Sequence, residues 1–152
     1  MIVRPATLDD LPAYMPLAVA FHEASPIRQA IPFSPEGFAD FFTAAVGSQN
    51  MGVWLAEQDG RLIGICGALV YPMYFNPDYW VAQELWWYLS PEARGHGAGK
   101  AMYDAIDAWA TEKGASALFM IALEDERASK MEKLYVRQGF QPMERTFYKE
   151  VA

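Results

Sequence analysis

Three glycines fall within five positions of the segment Arg94-Gly95-His96-Gly97-Ala98-Gly99-Lys100, between a stretch with strand character and one with helical periodicity. Residues without a Cβ let several backbone N–H groups converge, and the N-terminus of a helix adds partial positive charge. Such a turn favours an anion, and phosphate is its usual occupant. The sequence therefore predicts a phosphate-binding turn at residues 94–100.

Two well-known phosphate motifs do not fit this turn. A Walker A loop requires glycine where Arg94 stands and Ser or Thr where Ala101 stands. The dinucleotide fingerprint requires its third glycine where Lys100 stands. The pattern that does fit is Arg/Gln-x-x-Gly-x-Gly/Ala, which matches residues 94–99.

That pattern resembles the acetyl-coenzyme A motif of the GNAT superfamily of N-acetyltransferases. Residues 90–95 resemble the family's usual lead-in to the motif, and residues 134–140 resemble its later Tyr-x-x-x-Gly-Phe element. The strand at 84–89 is similar to that of small GNAT proteins encoded by bacteriophages. Spacing and element order agree from about residue 50 onwards, whereas the first third agrees only in outline.

The resemblance implies a site for acetyl-coenzyme A, bound as co-substrate with no metal. It implies that residues 86–89 splay away from the strand at 118–123, so that the opened edge pairs with the pantetheine arm and an N–H near Leu89 faces the thioester oxygen. Charge from Arg94 or Lys100 would reach the phosphates, while His96 faces either solvent or a phosphate. The residues expected to bind the cofactor are Trp87, Leu89, Arg94, Gly95, His96, Gly97, Ala98, Gly99, Lys100 and Ser129.

Two residues are candidates for catalysis. The resemblance places Tyr135 where many members carry a tyrosine that protonates the departing sulfur; a core aromatic is the alternative. Glu84 is the candidate general base, although counting back from the glycine turn puts Gln83 at the base position of histone-acetylating relatives. Glu84 would then face the other side unless a bulge intervenes. Ala128 stands where members often carry a cofactor-binding asparagine, so Ser129 either substitutes for it or caps a helix.

Composition limits the class of protein. The chain has 152 residues, 53% of them hydrophobic and 20% charged, which predicts one globular domain over residues 1–152. A net charge of −7 argues against nucleic acid as a partner and favours a cationic small molecule or a basic peptide. The single Cys66 and the absence of a Cys/His cluster predict no disulfide and no zinc site. With no signal peptide or long apolar run, we expect no membrane partner and a cytoplasmic location.

The elements that position these residues follow from periodicity and capping signals. They predict an α/β, GNAT-like single domain with a mixed, mostly antiparallel central sheet flanked by helices, in the order β-α-α-β-β-β-α-β-α-β. Pro16 should kink or shorten the first helix, and Asp59-Gly60 predicts a hairpin. The predicted strands are 2–4, 52–57, 62–71, 81–89, 117–123 (buried on both faces) and one within 140–151, and the helices start near 7, 34, 101 and 129.

The acceptor side carries no motif. Residues 71–80 form a predicted loop with five aromatic side chains near carboxylates, and residues 22–33 should lie opposite, which suits a cationic amine. A dimer interface is the alternative for this loop, and a homodimer is an expectation from the family. The predicted function is acetyl transfer from acetyl-coenzyme A to a primary amine, on a small cationic molecule or on a peptide or protein. A catalytically quiet acyl-coenzyme A-binding or regulatory module is the alternative.

Overall fold

The computed structural model describes residues 1–123 and 128–151. Within them, five strands form one sheet in the order β1-β2-β3-β4-β5, and every neighbouring pair is antiparallel except the parallel pair β4–β5. The α/β class and the mixed, mostly antiparallel sheet are thus confirmed. The strands are Ile2–Pro5 (β1), Met51–Gln58 (β2), Arg61–Met73 (β3), Asn76–Leu89 (β4) and Ala117–Phe119 (β5), and the helices are Leu11–Ala24 (α1), Pro35–Val46 (α2), Ala98–Glu112 (α3) and Ala128–Arg137 (α4).

Helices cover both faces of the sheet. Apolar residues of α1 and α2 pack with Val53, Leu55 and Ile65 on one face. On the other face, Met102 and Ile106 of α3 pack against alternate residues of the same strands. This alternation follows from the two-residue period of a strand. The central strands β2 and β3 therefore carry the core, while the candidate site lies towards the β4–β5 side.

Local signals set several boundaries correctly. Asp59 and Gly60 connect β2 and β3 with φ of 51° and 75°, the left-handed conformation that a two-residue hairpin turn requires. Ser34 caps α2 by accepting a hydrogen bond from the N–H of Gly37 at 3.1 Å. Thr7 and Asp10 form the predicted capping box, which opens a short 3₁₀ turn ahead of α1.

Pro16 does not end α1, so the prediction of a shortened helix was wrong. The helix continues to Ala24 and buries Tyr14 and Ala18 against the sheet. The N–H that Pro16 lacks would have bonded the carbonyl of Pro12, which lies exposed in the first turn where water can satisfy it. The packing of the buried face of α1 therefore outweighs the free-energy cost of a proline inside the helix.

Three other predictions were wrong. Residues 71–80 are not a loop: β3 continues to Met73 and β4 begins at Asn76, so the aromatic segment is a β-hairpin with its tip at residues 74–75. Strand β5 spans only Ala117–Phe119 and is half-exposed, because it lies at the edge of the sheet.

No strand forms in residues 140–151, so the last β of the predicted order is absent from the part of the chain that the structure describes. Residues 141–151 are exposed and include four charged side chains, and a three-residue edge strand offers them little to pair with. The single-domain assignment of residues 1–152 stays a prediction. Of the helices in the described ranges, none combines the length and apolar character needed to cross a membrane.

Candidate active site

The glycine turn leads directly into α3. A 3₁₀ turn at Pro91–Ala93 is followed by residues 94–97, and the helix begins at Ala98. Gly95 and Gly97 have φ of 84° and 87°, and a Cβ at either position would meet no atom within 4 Å. Gly97 is the N-cap residue of α3 and has no side chain with which to cap the helix. The first N–H groups of a helix lack intrahelical partners, so this open turn presents donors and a positive helix end to an anion.

The charged residues of the turn are partly engaged. Arg94 donates from Nε to the carbonyl of Leu89 at 3.1 Å, and its guanidinium lies 5.9 Å from the centre of the Tyr88 ring. Lys100 forms an ion pair with Asp104 one turn further along α3, at 2.6 Å. His96 is exposed. Arg94 thus connects the turn to the end of β4 by a hydrogen bond, whereas the Lys100 side chain extends along α3 towards Asp104.

Behind the turn lies a cradle formed by the end of β4. A Cβ added to Gly99 would lie 3.5 Å from Cδ1 of Leu89 and 3.6 Å from Cζ2 of Trp87. Nε1 of Trp87, two bonds from that Cζ2, is buried and has no hydrogen-bond partner within the described ranges. A buried donor without a partner is costly, since it has lost its water. The turn, the cradle and this free donor therefore fit a ligand that carries both phosphate and amide groups, as coenzyme A does.

The pairing of β4 with β5 stops short. Val81, Ala82 and Gln83 pair with residues 117–119, and no further pair follows among the described residues, although β4 continues to Leu89. This agrees with the splayed strands that the family resemblance implies. Beyond the last pair, the N–H of Ile121 donates to the Glu84 carboxylate at 3.0 Å instead of to a strand carbonyl.

Glu84 and Tyr135 meet at the backbone of one residue. While the Glu84 carboxylate accepts from the N–H of Ile121, the Tyr135 hydroxyl donates to the carbonyl of Ile121 at 2.9 Å. The Tyr135 ring also packs near Trp87, with 6.4 Å between the ring centres. The structure therefore brings both candidate catalytic side chains to the place where the strands part.

A bulge in β4 sets the face of Glu84. Gly67 pairs with Trp86 but Ala68 pairs with Glu84, so Leu85 is the extra residue. Leu85 and Trp86 both pack on the side of α1 and α2, whereas Ala68, the partner of Glu84, packs under α3. The bulge therefore places Glu84 on the α3 side of the sheet, and its role as general base stays a prediction.

Gly67 is the sequence feature that indicates this bulge, although it was not used above, since a glycine within a strand often marks a bulge. A Cβ at Gly67 would lie 2.1 Å from Cζ2 of Trp86, so the indole occupies the space that any other residue would need.

Tyr14 fixes the bulge from the helix side, a role that the sequence did not reveal. Nε1 of Trp86 donates to the Tyr14 hydroxyl at 2.8 Å, and that hydroxyl lies 3.3 Å from the carbonyl of Cys66 and 3.4 Å from that of Trp54. Tyr14 is fully buried. Its residue type and its place on an apolar helix face predict only core packing, so no local signal could have identified it.

Burial controls the ionisation of both candidate catalytic groups. Glu84 is only 3% exposed, and burial raises its pKa from 4.5 to about 7 against the opposing effect of the Ile121 N–H. Burial, followed by the nearby charge of Glu84, raises the pKa of Tyr135 far above its ordinary value of 10.0. Near neutral pH, the carboxyl can therefore take up or release a proton, and the phenol keeps its proton.

Other predicted site residues lie elsewhere. Ser129 is exposed inside α4, so it is not the residue that caps this helix. The tip of the aromatic hairpin, at Tyr74 and Phe75, lies nine to ten residues before Glu84 in the chain, roughly 30 Å at about 3.3 Å per residue. The exposed rings of that tip are therefore remote from the candidate catalytic pair.

Comparison with known proteins identifies a family for this chain. Residues 17–140 match the model of the family described as Acetyltransferase (GNAT) family. No curated protein sequence matches the chain significantly.

Several solved structures share the fold. A ribosomal-protein-alanine N-acetyltransferase from Brucella melitensis biovar Abortus 2308 is 20% identical, with 98% of each chain covered and a TM-score of 0.72. An aminoglycoside antibiotic 6'-N-acetyltransferase from Acinetobacter haemolyticus is 18% identical, with 100% of this chain and 99% of that chain covered and a TM-score of 0.75. A protein from Bacillus halodurans C-125 described as a transcriptional regulator is 17% identical, with 99% of each chain covered and a TM-score of 0.79.

Proposed function

Because the chain belongs to the GNAT acetyltransferase family, we propose that it moves an acetyl group from acetyl-coenzyme A directly to a primary amine, without a metal or a covalent enzyme intermediate. One observation carries the proposal: where β4 and β5 separate, Glu84 accepts a hydrogen bond from the N–H of Ile121 and Tyr135 donates one to its carbonyl. A base and an acid that share one backbone residue suit a reaction in which one proton is removed and another is supplied.

When bound, acetyl-coenzyme A supplies a thioester, an activated acyl group with a thiol as leaving group. The N–H groups of residues 95–99 would bind its pyrophosphate, and Arg94, His96 and Lys100 would add charge or hydrogen bonds there. Nε1 of Trp87 would donate to an amide or phosphate oxygen, and the open edge of β4 near Leu89 would bind the pantetheine arm. Ser129 stays a proposed contact.

Glu84 would act as the general base. Primary alkylamines are mostly protonated at neutral pH, as the lysine pKa of about 10.4 illustrates, so a proton must leave before nitrogen can attack. A carboxylate with a pKa of about 7 is well matched to that task. Glu84 removes one proton from the ammonium group before the nitrogen attacks and releases it to water. Once the N–C bond has formed, the nitrogen loses its second proton to water.

Tyr135 would act as the general acid. As the C–S bond breaks, the phenol gives its proton to the sulfur and regains one from water. A thiol with a pKa near 8.5 already leaves tolerably well, so we expect a benefit of about 10²-fold. The hydroxyl hydrogen must turn from the Ile121 carbonyl towards the sulfur for this step.

The acceptor class is supported only coarsely. Two of the proteins with this fold are described as acting on an aminoglycoside and on ribosomal-protein alanine, so we propose an amine on a small molecule, peptide or protein. A cytoplasmic location and a homodimer stay predictions.

Thermal unfolding with and without acetyl-coenzyme A tests the cofactor. Saturation at a hundredfold over the dissociation constant should raise the free energy of unfolding by about 2.7 kcal/mol. No stabilisation would contradict both the enzyme and a quiet acyl-coenzyme A-binding module. The module is the second candidate because one protein with this fold is described as a transcriptional regulator. Release of free coenzyme A thiol with a panel of amines would support the enzyme, and stabilisation without any release would support the module.

A matched pair of glycine variants tests the turn. Gly97 and Gly114 have φ of 87° and 70°, and a Cβ at either would meet no atom within 4 Å. Gly97→Ala and Gly114→Ala should therefore cost similar stability, about 1–2 kcal/mol each. Only Gly97→Ala should weaken acetyl-coenzyme A binding, measured by calorimetry. Equal affinities in the two variants would remove the turn from the proposed site.

A further inference from the structure

Glu84 lies on the same face of the sheet as the cradle at the end of β4. The cradle residues Trp87 and Leu89, which follow Glu84 by three and five residues, pack with the apolar cluster under α3. Ala68, the strand partner of Glu84, belongs to that cluster. In a regular strand, residues at odd separations point to opposite faces. The extra residue of the bulge, Leu85, therefore brings the cradle and Glu84 to one face.

Trp86 marks the end of the bulge. It pairs with Gly67, and its indole fills the space that a Cβ at Gly67 would need, 2.1 Å from Cζ2. The ring of Phe41 packs edge-on against this indole, with 5.6 Å between the ring centres. If the end of β4 slipped by one residue and lost the bulge, Leu85 would take the place opposite Gly67. The indole would then leave its space, and Trp87 would turn away from α3.

The hydroxyl of Tyr14 opposes such a slip. It accepts a hydrogen bond from Nε1 of Trp86 at 2.8 Å and donates to the carbonyls of Cys66 and Trp54, at 3.3 Å and 3.4 Å. It therefore connects the indole on β4 to backbone atoms of β3 and β2. Because Tyr14 is fully buried, an indole N–H that moved away from this acceptor would be left without a partner, which is costly.

We infer that Tyr14 is a positioning residue: through its hydrogen bond to Trp86, it holds the bulge in place and so keeps the cradle on the same face as Glu84. The inference rests on the proposed function, because it assigns the cradle to the cofactor. Tyr14 packs on the side of α1 and α2, whereas the cradle packs under α3, so its effect on the cofactor passes through the strand.

Tyr14→Phe removes the hydroxyl and keeps the ring. Part of the unliganded protein should then leave the register that the cradle requires, and acetyl-coenzyme A should select the remainder. We therefore expect Kd and KM for acetyl-coenzyme A to rise about fivefold or more, while kcat at saturating donor stays within about twofold. A merely destabilised protein would show the opposite pattern, because a smaller folded fraction lowers kcat and leaves KM unchanged. Calorimetry and initial rates measure the two effects.

Phe42→Leu is the matched control. Phe42 packs on the ring of Tyr14, with 4.8 Å between the ring centres, and is 1% exposed. The variant should lower stability through lost packing and keep the native Kd and KM for acetyl-coenzyme A. If Tyr14→Phe does not fold, Trp86→Phe removes the same hydrogen bond from its other end and should raise Kd in the same way.

The indole of Trp87 gives a readout that does not depend on activity. The chain contains five tryptophans, so labelling with 5-fluorotryptophan gives five fluorine NMR signals, of which Trp87→Phe identifies one. In unliganded Tyr14→Phe, the Trp87 signal should shift or broaden as the end of β4 exchanges between registers. In Phe42→Leu it should stay unchanged.

The outcomes separate the two proposals. If the native protein does not bind acetyl-coenzyme A, the proposed function fails, and the Trp87 signal still tests the positioning role of Tyr14. An unchanged Trp87 signal in Tyr14→Phe, or a Kd equal to that of Phe42→Leu, would overturn this inference and leave the acetyltransferase function intact. A raised Kd together with a shifted Trp87 signal would support it.

Discussion

A carboxyl group with a single backbone donor as partner is an unusual thing to bury. Glu84 is 3% exposed and its one hydrogen bond within the described ranges comes from Ile121. A residue chosen for stability alone would be apolar at this position, because an ionised group loses its hydration there. Strong perturbation next to a gap between strands is typical of functional groups.

Glu84→Gln should separate stability from activity. The folded pKa of about 7 lies above the ordinary 4.5, so between these pH values the native state holds a proton that the unfolded state has lost. The free energy of unfolding therefore falls as pH rises from about 4.5 to about 7 and stays low above it. Glutamine cannot ionise, so the variant should be about 1–3 kcal/mol more stable than the native protein at pH 8.

Urea denaturation at pH 5 and pH 8 measures this difference. In the same experiment series, the native enzyme should gain turnover as pH rises through about 7, where Glu84 loses its proton. The variant should lack that rise. Equal stability of the two proteins at pH 8 would show that the pKa of Glu84 is not raised by burial.

Tyr135→Phe should lower turnover by about 10²-fold while acetyl-coenzyme A binding is kept. The variant also leaves the Ile121 carbonyl without its donor, at a cost of about 1 kcal/mol. Tyr103→Phe is the control, since Tyr103 packs on Phe140 as Tyr135 does, with ring centres 6.0 Å and 5.6 Å from it respectively. Single-turnover rates and calorimetry measure the two effects. Unchanged turnover in Tyr135→Phe would leave this residue a purely structural role.

At the scale of elements, the bulge in β4 is the decisive feature. One extra residue reverses the face of every residue before it, and so decides whether Glu84 lies under α3 or towards α1. Residues from two other elements stabilise the bulge: Tyr14 of α1 accepts a hydrogen bond from Trp86, and Gly67 of β3 leaves space for the Trp86 ring because it has no Cβ.

Tyr14→Phe should destabilise the protein by about 1–3 kcal/mol, because it leaves a buried indole N–H without an acceptor. In a double-mutant cycle with Trp86→Phe, the combined loss should be smaller than the sum, since the second change removes the group that the first had orphaned. Denaturant titration of the four proteins measures the coupling. Strictly additive losses would show that the hydrogen bond does not stabilise the bulge.

Elements with local signals were predictable. The Asp59-Gly60 hairpin, the cap at Ser34 and the helix that follows the glycine turn all depend on neighbours within four residues. The hairpin at residues 71–80 was missed because its tip carries no Gly or Asn. The apolar run from Ala117 suggested a strand buried on both faces, yet its exposure depends on a position at the sheet edge that sequence alone does not give.

At the scale of the whole molecule, the family was accessible from sequence because it depends on short motifs at residues 90–99 and 134–140. The face of Glu84 was not, since it follows from pairing with Ala68 and from contacts with Tyr14, far away in the chain.

Net charge bears on the acceptor only indirectly. The value of −7 favoured a cationic molecule, and five aromatic side chains in residues 71–80 supported that expectation. A cationic acceptor stays a prediction. Net charge acts on solubility and on long-range attraction, whereas the choice of acceptor depends on the few groups that it contacts.

The open edge of β4 has a further consequence for handling the protein. Past Gln83, its backbone has no strand partner among the described residues, and an unpaired strand edge is a template for pairing with other chains. A ligand that occupies this edge would remove the template. Concentrated protein without coenzyme A should therefore self-associate and precipitate more readily than the liganded form, which makes coenzyme A a sensible addition during purification and crystallisation.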